Sequence, residues 1–254
     1  MKKKKKLGLV LLLLLASLAF IMLFSLNTLT YTPTSQALQA VTTHSNYSVH
    51  ETQDVVYFEP AETSSSTAII FYQGAFVKEK SYGLWAAKLA DAGYPVCLIH
   101  HPLNLAVMKP NKAQQIIEDY NITSYVIGGH SLGGVMASRF AHDSLKKQSM
   151  DQQMLKGVFF LASYPDKKGS LEDRSLPVLS ITGTNNGVLD QQAFQNNKQF
   201  LPKDTDYITI QGGNHAGFGS YDKQKGDNDA AITNKQQQEA VFTALQHWLA
   251  SFPE

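Results

Sequence analysis

One stretch of this chain has residue types and spacing that suit covalent chemistry: Gly129-His130-Ser131-Leu132-Gly133, a serine with glycine two places away on either side. The spacing fits the G-x-S-x-G nucleophile elbow. An apolar run, Tyr125-Val126-Ile127, leads into it, and a helical pattern, Val135 to Ala141, follows. A serine on a sharp strand-to-helix turn holds its Oγ clear of the backbone. Such a turn strains the serine's own φ/ψ and crowds the residues two places away, which glycine relieves. The N–H groups opening the next helix point back at the site, where they stabilise developing negative charge. The chemistry indicated is nucleophilic attack by Ser131 Oγ, with a base to take the proton.

Positioning that turn requires a sheet. Strand-like runs occupy Val55–Phe58, Ala68–Tyr72, Val96–His100, Ser124–Gly128, Gly157–Ala162, Val178–Thr182 and Tyr207–Ile210. Helical patterns lie between them at Ser81–Ala92, Lys112–Tyr120 and Gln191–Leu201, and a last helix runs from Thr233 to about Ser251. Thr233 and Gln236 have capping-box spacing. The alternation predicts an α/β fold, a mostly parallel sheet with helices on both faces.

Residues 129–134, Gly-His-Ser-Leu-Gly-Gly, resemble the elbow of the α/β-hydrolase superfamily in its esterase and lipase branch. The likeness covers about residues 50 to 252. It is nearest to small lidless members near the dienelactone-hydrolase-like group, of which Ser131 rules out those with a cysteine nucleophile. It implies an α/β-hydrolase fold with no large cap domain, because only a short loop separates the strands at Phe159 and Leu179. It also implies the chain order nucleophile, acid, histidine. His44, His50, His100 and His101 precede the serine, His130 is inside the elbow, and His142 and His247 are on helices. His215 remains, in Gly212-Gly213-Asn214-His215-Ala216-Gly217-Phe218-Gly219, which resembles the family's catalytic-histidine loop.

The acid departs from the family pattern, often Gly-x-x-Asp-Gly. Here Gly183-Thr184-Asn185-Asn186-Gly187 puts Asn186 in that position. An amide offers no charge to an imidazolium and can select the wrong tautomer; a serine protease loses ~10⁴ in kcat on the corresponding change. Asp190, then Asp166, are the alternative acids, and deamidation at Asn186-Gly187 is a third route to a carboxylate. For the oxyanion, the resemblance implies the Leu132 N–H and a second donor from the loop Tyr72-Gln73-Gly74-Ala75-Phe76-Val77. Ala75 is the expected donor and Phe76 the next. Gly74, Phe76 and His130 are expected to touch substrate, and the His100-His101-Pro102 loop to line the pocket. No metal and no cofactor are implied. Asp222, Asp227 and Asp229 fit no calcium-loop spacing and read as a solvated loop.

Across its 254 residues the chain carries 22 Lys and Arg against 21 Asp and Glu, but Lys2 to Lys6 supply five of the basic residues. The remainder is acidic, which argues against nucleic acid as a partner. Cys97 is the only cysteine. It reads as a small core residue and excludes an intramolecular disulfide. After the lysines, Leu7 to Leu26 is uncharged and apolar, ~30 Å as a helix and enough to cross a bilayer. Residues 1–26 are therefore expected to be cytoplasmic lysines and a signal anchor rather than a cleaved signal. Residues 27–48, rich in Thr, Ser and Gln, read as a flexible tether, and 49–254 as the catalytic domain. The expectation is a membrane-anchored extracellular serine hydrolase, a carboxylesterase acting on a small-molecule ester. The alternative is a degenerate hydrolase serving as a surface binding module.

Overall fold

Strands β1 (Tyr47–Glu51), β2 (Val55–Pro60), β3 (Thr67–Tyr72), β4 (Val96–Ile99), β5 (Ser124–His130), β6 (Leu155–Leu161), β7 (Val178–Gly183) and β8 (Asp206–Ile210) form one sheet. Their order is β1-β2-β4-β3-β5-β6-β7-β8. The computed structural model describes residues 29–252 except 64, 148–153, 173 and 174, together with Ser17. Contacts divide the chain into Met1–Thr30 and Tyr31–Glu254, and the sheet belongs to the second unit. β1 and β2 run antiparallel at one edge, and β3 to β8 are parallel. Six helices complete the described fold: α1 (Ser35–Ala40), α2 (Gly83–Asp91), α3 (Lys112–Asp119), α4 (Leu132–Lys147), α5 (Gln191–Asn197) and α6 (Asn234–Leu249).

The sheet is covered on both faces because its central strands alternate two sets of apolar side chains. Ile69, Phe71, Val126, Phe159 and Leu179 pack with Trp85 and Leu89 of α2 and Val241, Leu245 and Trp248 of α6. Ile70, Tyr72, Ile127, Val158 and Phe160 pack on the other face with Ile116 of α3 and Met136 and Phe140 of α4. Cys97 is buried in that second cluster, and burial pushes its thiol up to about 12, which makes it inert. The expected capping box is present at the start of α6. Only residues 162–177 separate β6 from β7, too few for a cap domain.

The stretch 27–48 departs from the expected tether. From Tyr31 onward it is packed on the domain. Thr34 caps α1, and Ala37 is fully buried. A Cβ on Gly83 would strike Val41 and the Ala37 carbonyl. Tyr31 N donates to Phe76 O at 2.7 Å, and Lys78 N to Tyr31 O at 3.1 Å. Tyr47 and Ser48 begin β1, not a linker. The reason is contact between small side chains, which hydropathy does not register. The expected membrane span, residues 7–26, lies outside the described residues. Among the described residues no helix is long and apolar enough to cross a membrane.

Parallel strands bring their carboxyl ends to one edge, so the loops after β3, β4, β5, β7 and β8 converge there.

Candidate active site

Ser131 stands between β5 and α4 with φ 52°, a left-handed conformation that a non-glycine residue adopts only under constraint. The constraint is visible on each side. Ser131 N donates to Leu161 O at 3.1 Å, and the Ser163 hydroxyl donates to Ser131 O at 2.6 Å. Glycine is required at two flanking positions. A Cβ on Gly129 would collide with the Gly133 backbone, and one on Gly133 with the carbonyls of Tyr72 and Gln73. This close approach seats the start of α4 against the end of β3.

His215 follows β8 and is 1% exposed. Two buried glutamines of α6 hold its loop. Gln237 Oε1 accepts from Asn214 N at 3.0 Å, and its Nε2 donates to Asn214 O at 2.8 Å. Gln238 Nε2 donates to Gly217 O at 2.7 Å. Ser131 and His215 line one cavity of about 240 Å³, together with Leu132, Val135, Tyr164 and Leu189.

Asn186, after β7, meets His215 Nδ1 with its Oδ1 at 3.2 Å. The same oxygen accepts from Val188 N at 3.1 Å and Leu189 N at 2.8 Å. Those two N–H groups fix which end of the amide faces the ring. An amide oxygen can only accept, so His215 Nδ1 carries the hydrogen and Nε2 presents a lone pair. The wrong-tautomer objection to an amide here is removed by the backbone. Burial holds His215 down at about 4, against a smaller upward pull from Asp227, so the ring is neutral at pH 7. Among the described residues His215 Nε2 has no hydrogen-bond partner.

The other two candidate acids are committed elsewhere. Asp190 caps α5, accepting from Ala193 N at 2.9 Å, although it does line the cavity. Asp166 pairs with Arg139, which holds its carboxyl below the usual range against the cost of burial, and it also accepts from Gly169 N.

The carboxylate next to this pair is Asp227, read from sequence as part of a solvated loop. Its Oδ1 accepts from Gly187 N at 2.9 Å and its Oδ2 from Ala216 N at 2.8 Å. One side chain therefore ties the residue after Asn186 to the residue after His215. Replacing Asp227 by alanine is expected to cost about 1–2 kcal/mol, because the part-buried Ala216 N–H loses its acceptor and the exposed Gly187 N–H a weaker tie. Urea denaturation at pH 7 measures it. Among the described residues no group of three or more His, Cys, Asp or Glu could hold a metal.

On the oxyanion side, Gly74 N donates to the Tyr82 hydroxyl at 2.9 Å and Phe76 N to Asn104 O at 2.8 Å. Of these three successive amides, only that of Ala75 has no partner among the described residues. The Leu132 N–H opens α4 and has no intrahelical acceptor.

Gly74 and His130, expected to touch substrate, lie in the layer beneath. Both are buried, and His130 Nδ1 bonds the Tyr82 hydroxyl at 2.9 Å. The His130 ring packs 4.5 Å from that of His215 and supports it from behind. Phe76 is half-buried and has a left-handed φ of 59°. His101, expected to line the pocket, is fully buried against Tyr72 and bonded to the Gln73 amide, with burial holding it at about 3. His100 pairs with Glu79 at 2.9 Å.

The sequence model of one family, described as the alpha/beta hydrolase family, matches residues 68–239. The chain belongs to that family. No curated protein matches the chain. Solved structures share the fold of this alpha/beta hydrolase at low identity. An alpha/beta hydrolase enzyme from a sediment metagenome of the Mar Chica lagoon, Morocco, is 14% identical with a TM-score of 0.56, over 80% of this chain and 97% of that one. A membrane phospholipase A, described as a novel bacterial virulence factor, is 13% identical with a TM-score of 0.57, over 97% of this chain and 100% of that one. The esterase domain of a Rhodothermus marinus protein is 12% identical with a TM-score of 0.56, over 76% and 90%.

Proposed function

We propose that this alpha/beta hydrolase is a serine carboxylic ester hydrolase, held at the outer face of a membrane by residues 7–26. The arrangement that carries the reading is Asn186 Oδ1, pinned by Val188 and Leu189 N–H against His215 Nδ1, beside a cavity shared by His215 and Ser131. His215 Nε2 takes the Ser131 Oγ proton as Oγ attacks the acyl carbon. The N–H groups of Leu132 and Ala75 hold the oxyanion, each worth about 3 kcal/mol in the transition state. His215 then returns the proton to the leaving alcohol, and water, deprotonated by the same nitrogen, releases the acyl group.

Asn186 sets the tautomer but supplies no charge to the imidazolium. The Asp227 carboxylate, one backbone link away, provides the negative potential that acts on His215.

A fluorophosphonate probe tests the reading. It is expected to label the folded chain once, with the mass shift on the peptide containing Ser131. Asn186 is also the one observation in favour of a binding module without turnover. Folded chain that takes no label decides for that alternative.

A further inference from the structure

The residue that begins the packed domain is bonded to the loop that supplies the oxyanion donor. Tyr31 pairs with Val77 as a parallel bridge, and its N–H and C=O take Phe76 O and Lys78 N. Its ring packs 5.4 Å from Tyr221, beyond His215. Four residues, Asn27 to Thr30, lie between Tyr31 and Leu26, the end of the apolar run, which makes five Cα-to-Cα steps. Their covalent reach is at most about 18 Å. With residues 7–26 as the anchor, no longer linker than this joins the bilayer to the residue paired with the oxyanion loop.

The rim is also unusually apolar. After β4, Leu103 is 37% exposed, Val107 48% and Met108 56%. This loop joins the oxyanion loop through the bond from Phe76 N to Asn104 O, and Phe76 is half-buried. Leu103 and Asn104 have left-handed φ of 57° and 54°. Exposed Lys78 and Lys109 flank these side chains. Apolar tips with lysines at their margin suit a headgroup boundary.

We infer that the site acts on acyl esters of glycerolipids in the bilayer that holds its own anchor, with the 103–108 loop and Phe76 resting on that surface. The inference rests on the esterase reading above and names its substrate class. Ester hydrolysis there consumes one water and yields a fatty acid and a lysolipid or free glycerol hydroxyl.

The test uses the full chain in phosphatidylcholine–phosphatidylglycerol vesicles containing a fluorogenic diacyl phospholipid, with p-nitrophenyl butyrate in solution as the second substrate. Wild type is expected to cleave both. The pair Val107→Glu/Met108→Glu is expected to lower the phospholipid rate at least ten-fold and to keep the butyrate rate within two-fold. The butyrate rate also reports that the variant is folded. A thirty-residue Gly-Ser insertion between Asn27 and Thr28 is expected to lower only the phospholipid rate. Wild type that cleaves butyrate but not the phospholipid overturns the inference and leaves the esterase. So does a pair or an insertion that changes both rates equally or neither. If neither ester is cleaved and the fluorophosphonate does not label, the esterase reading falls, and this one with it.

Discussion

Replacing Ser131 by alanine is expected to lower ester turnover at least about 10⁴-fold, with the fold intact and probe labelling abolished. The size follows from the way the catalytic groups act as one unit. In a serine hydrolase, loss of the nucleophile removes the covalent route entirely, and what remains is the oxyanion hole and binding. For the same reason His215→Ala should cost nearly as much alone, and the double variant Ser131→Ala/His215→Ala little more than either. Near-additive losses would instead mean that the two side chains serve separate purposes. Alanine at 131 removes only the hydroxyl. The bond from Ser163 reaches the Ser131 carbonyl, so the elbow keeps its support. Thermal denaturation should therefore hardly move, and kcat against p-nitrophenyl butyrate carries the effect.

Much of the candidate site's geometry was legible because its demands are local. The elbow is written in five consecutive residues whose glycines answer a contact within the same turn. The central parallel strands were legible because they are apolar on both faces; the edge strand β8, mostly exposed, was legible from Tyr207, Ile208 and Ile210. Contacts made at long range escaped. Asp227 reads as one acid in a polar loop, and only the fold brings it between the residues after Asn186 and His215. Gln237 and Gln238 read as the polar opening of a helix, yet they are buried and hold the histidine loop. Tyr82 carries no signal of its own, and it ties Gly74 to His130 beneath the site. The segment from Tyr31 to Ala40 was hidden by its composition. Threonine, serine and glutamine look like linker, while a buried alanine, a tyrosine ring, the Thr34 hydroxyl and a few backbone bonds attach it.

The substitution Asn186→Asp is expected to raise kcat/KM for ester hydrolysis about 10- to 100-fold. A hydrogen bond to a charged group contributes about 1.5–3 kcal/mol, and in this position it is gained as the imidazolium forms in the transition state. The new carboxylate needs no rearrangement. Val188 and Leu189 N–H already point at the oxygen it would place there, which offsets part of the desolvation. Asp227 works against the change, since a second carboxylate nearby raises the cost of ionising the first. The gain should therefore be larger in the Asn186→Asp/Asp227→Asn double variant if repulsion dominates, and smaller if Asp227 acts mainly as a clamp. The pH profile gives an independent reading. Burial holds His215 near 4, so wild-type activity should rise with pH through that value and be flat by neutrality. A carboxylate at 186 favours the protonated ring, moves the rising limb to higher pH, and leaves the variant relatively weakest in acid. An unchanged limb together with an unchanged rate would mean that residue 186 does not touch the reacting histidine during turnover, and Asp190, at the cavity wall, would become the acid to replace next.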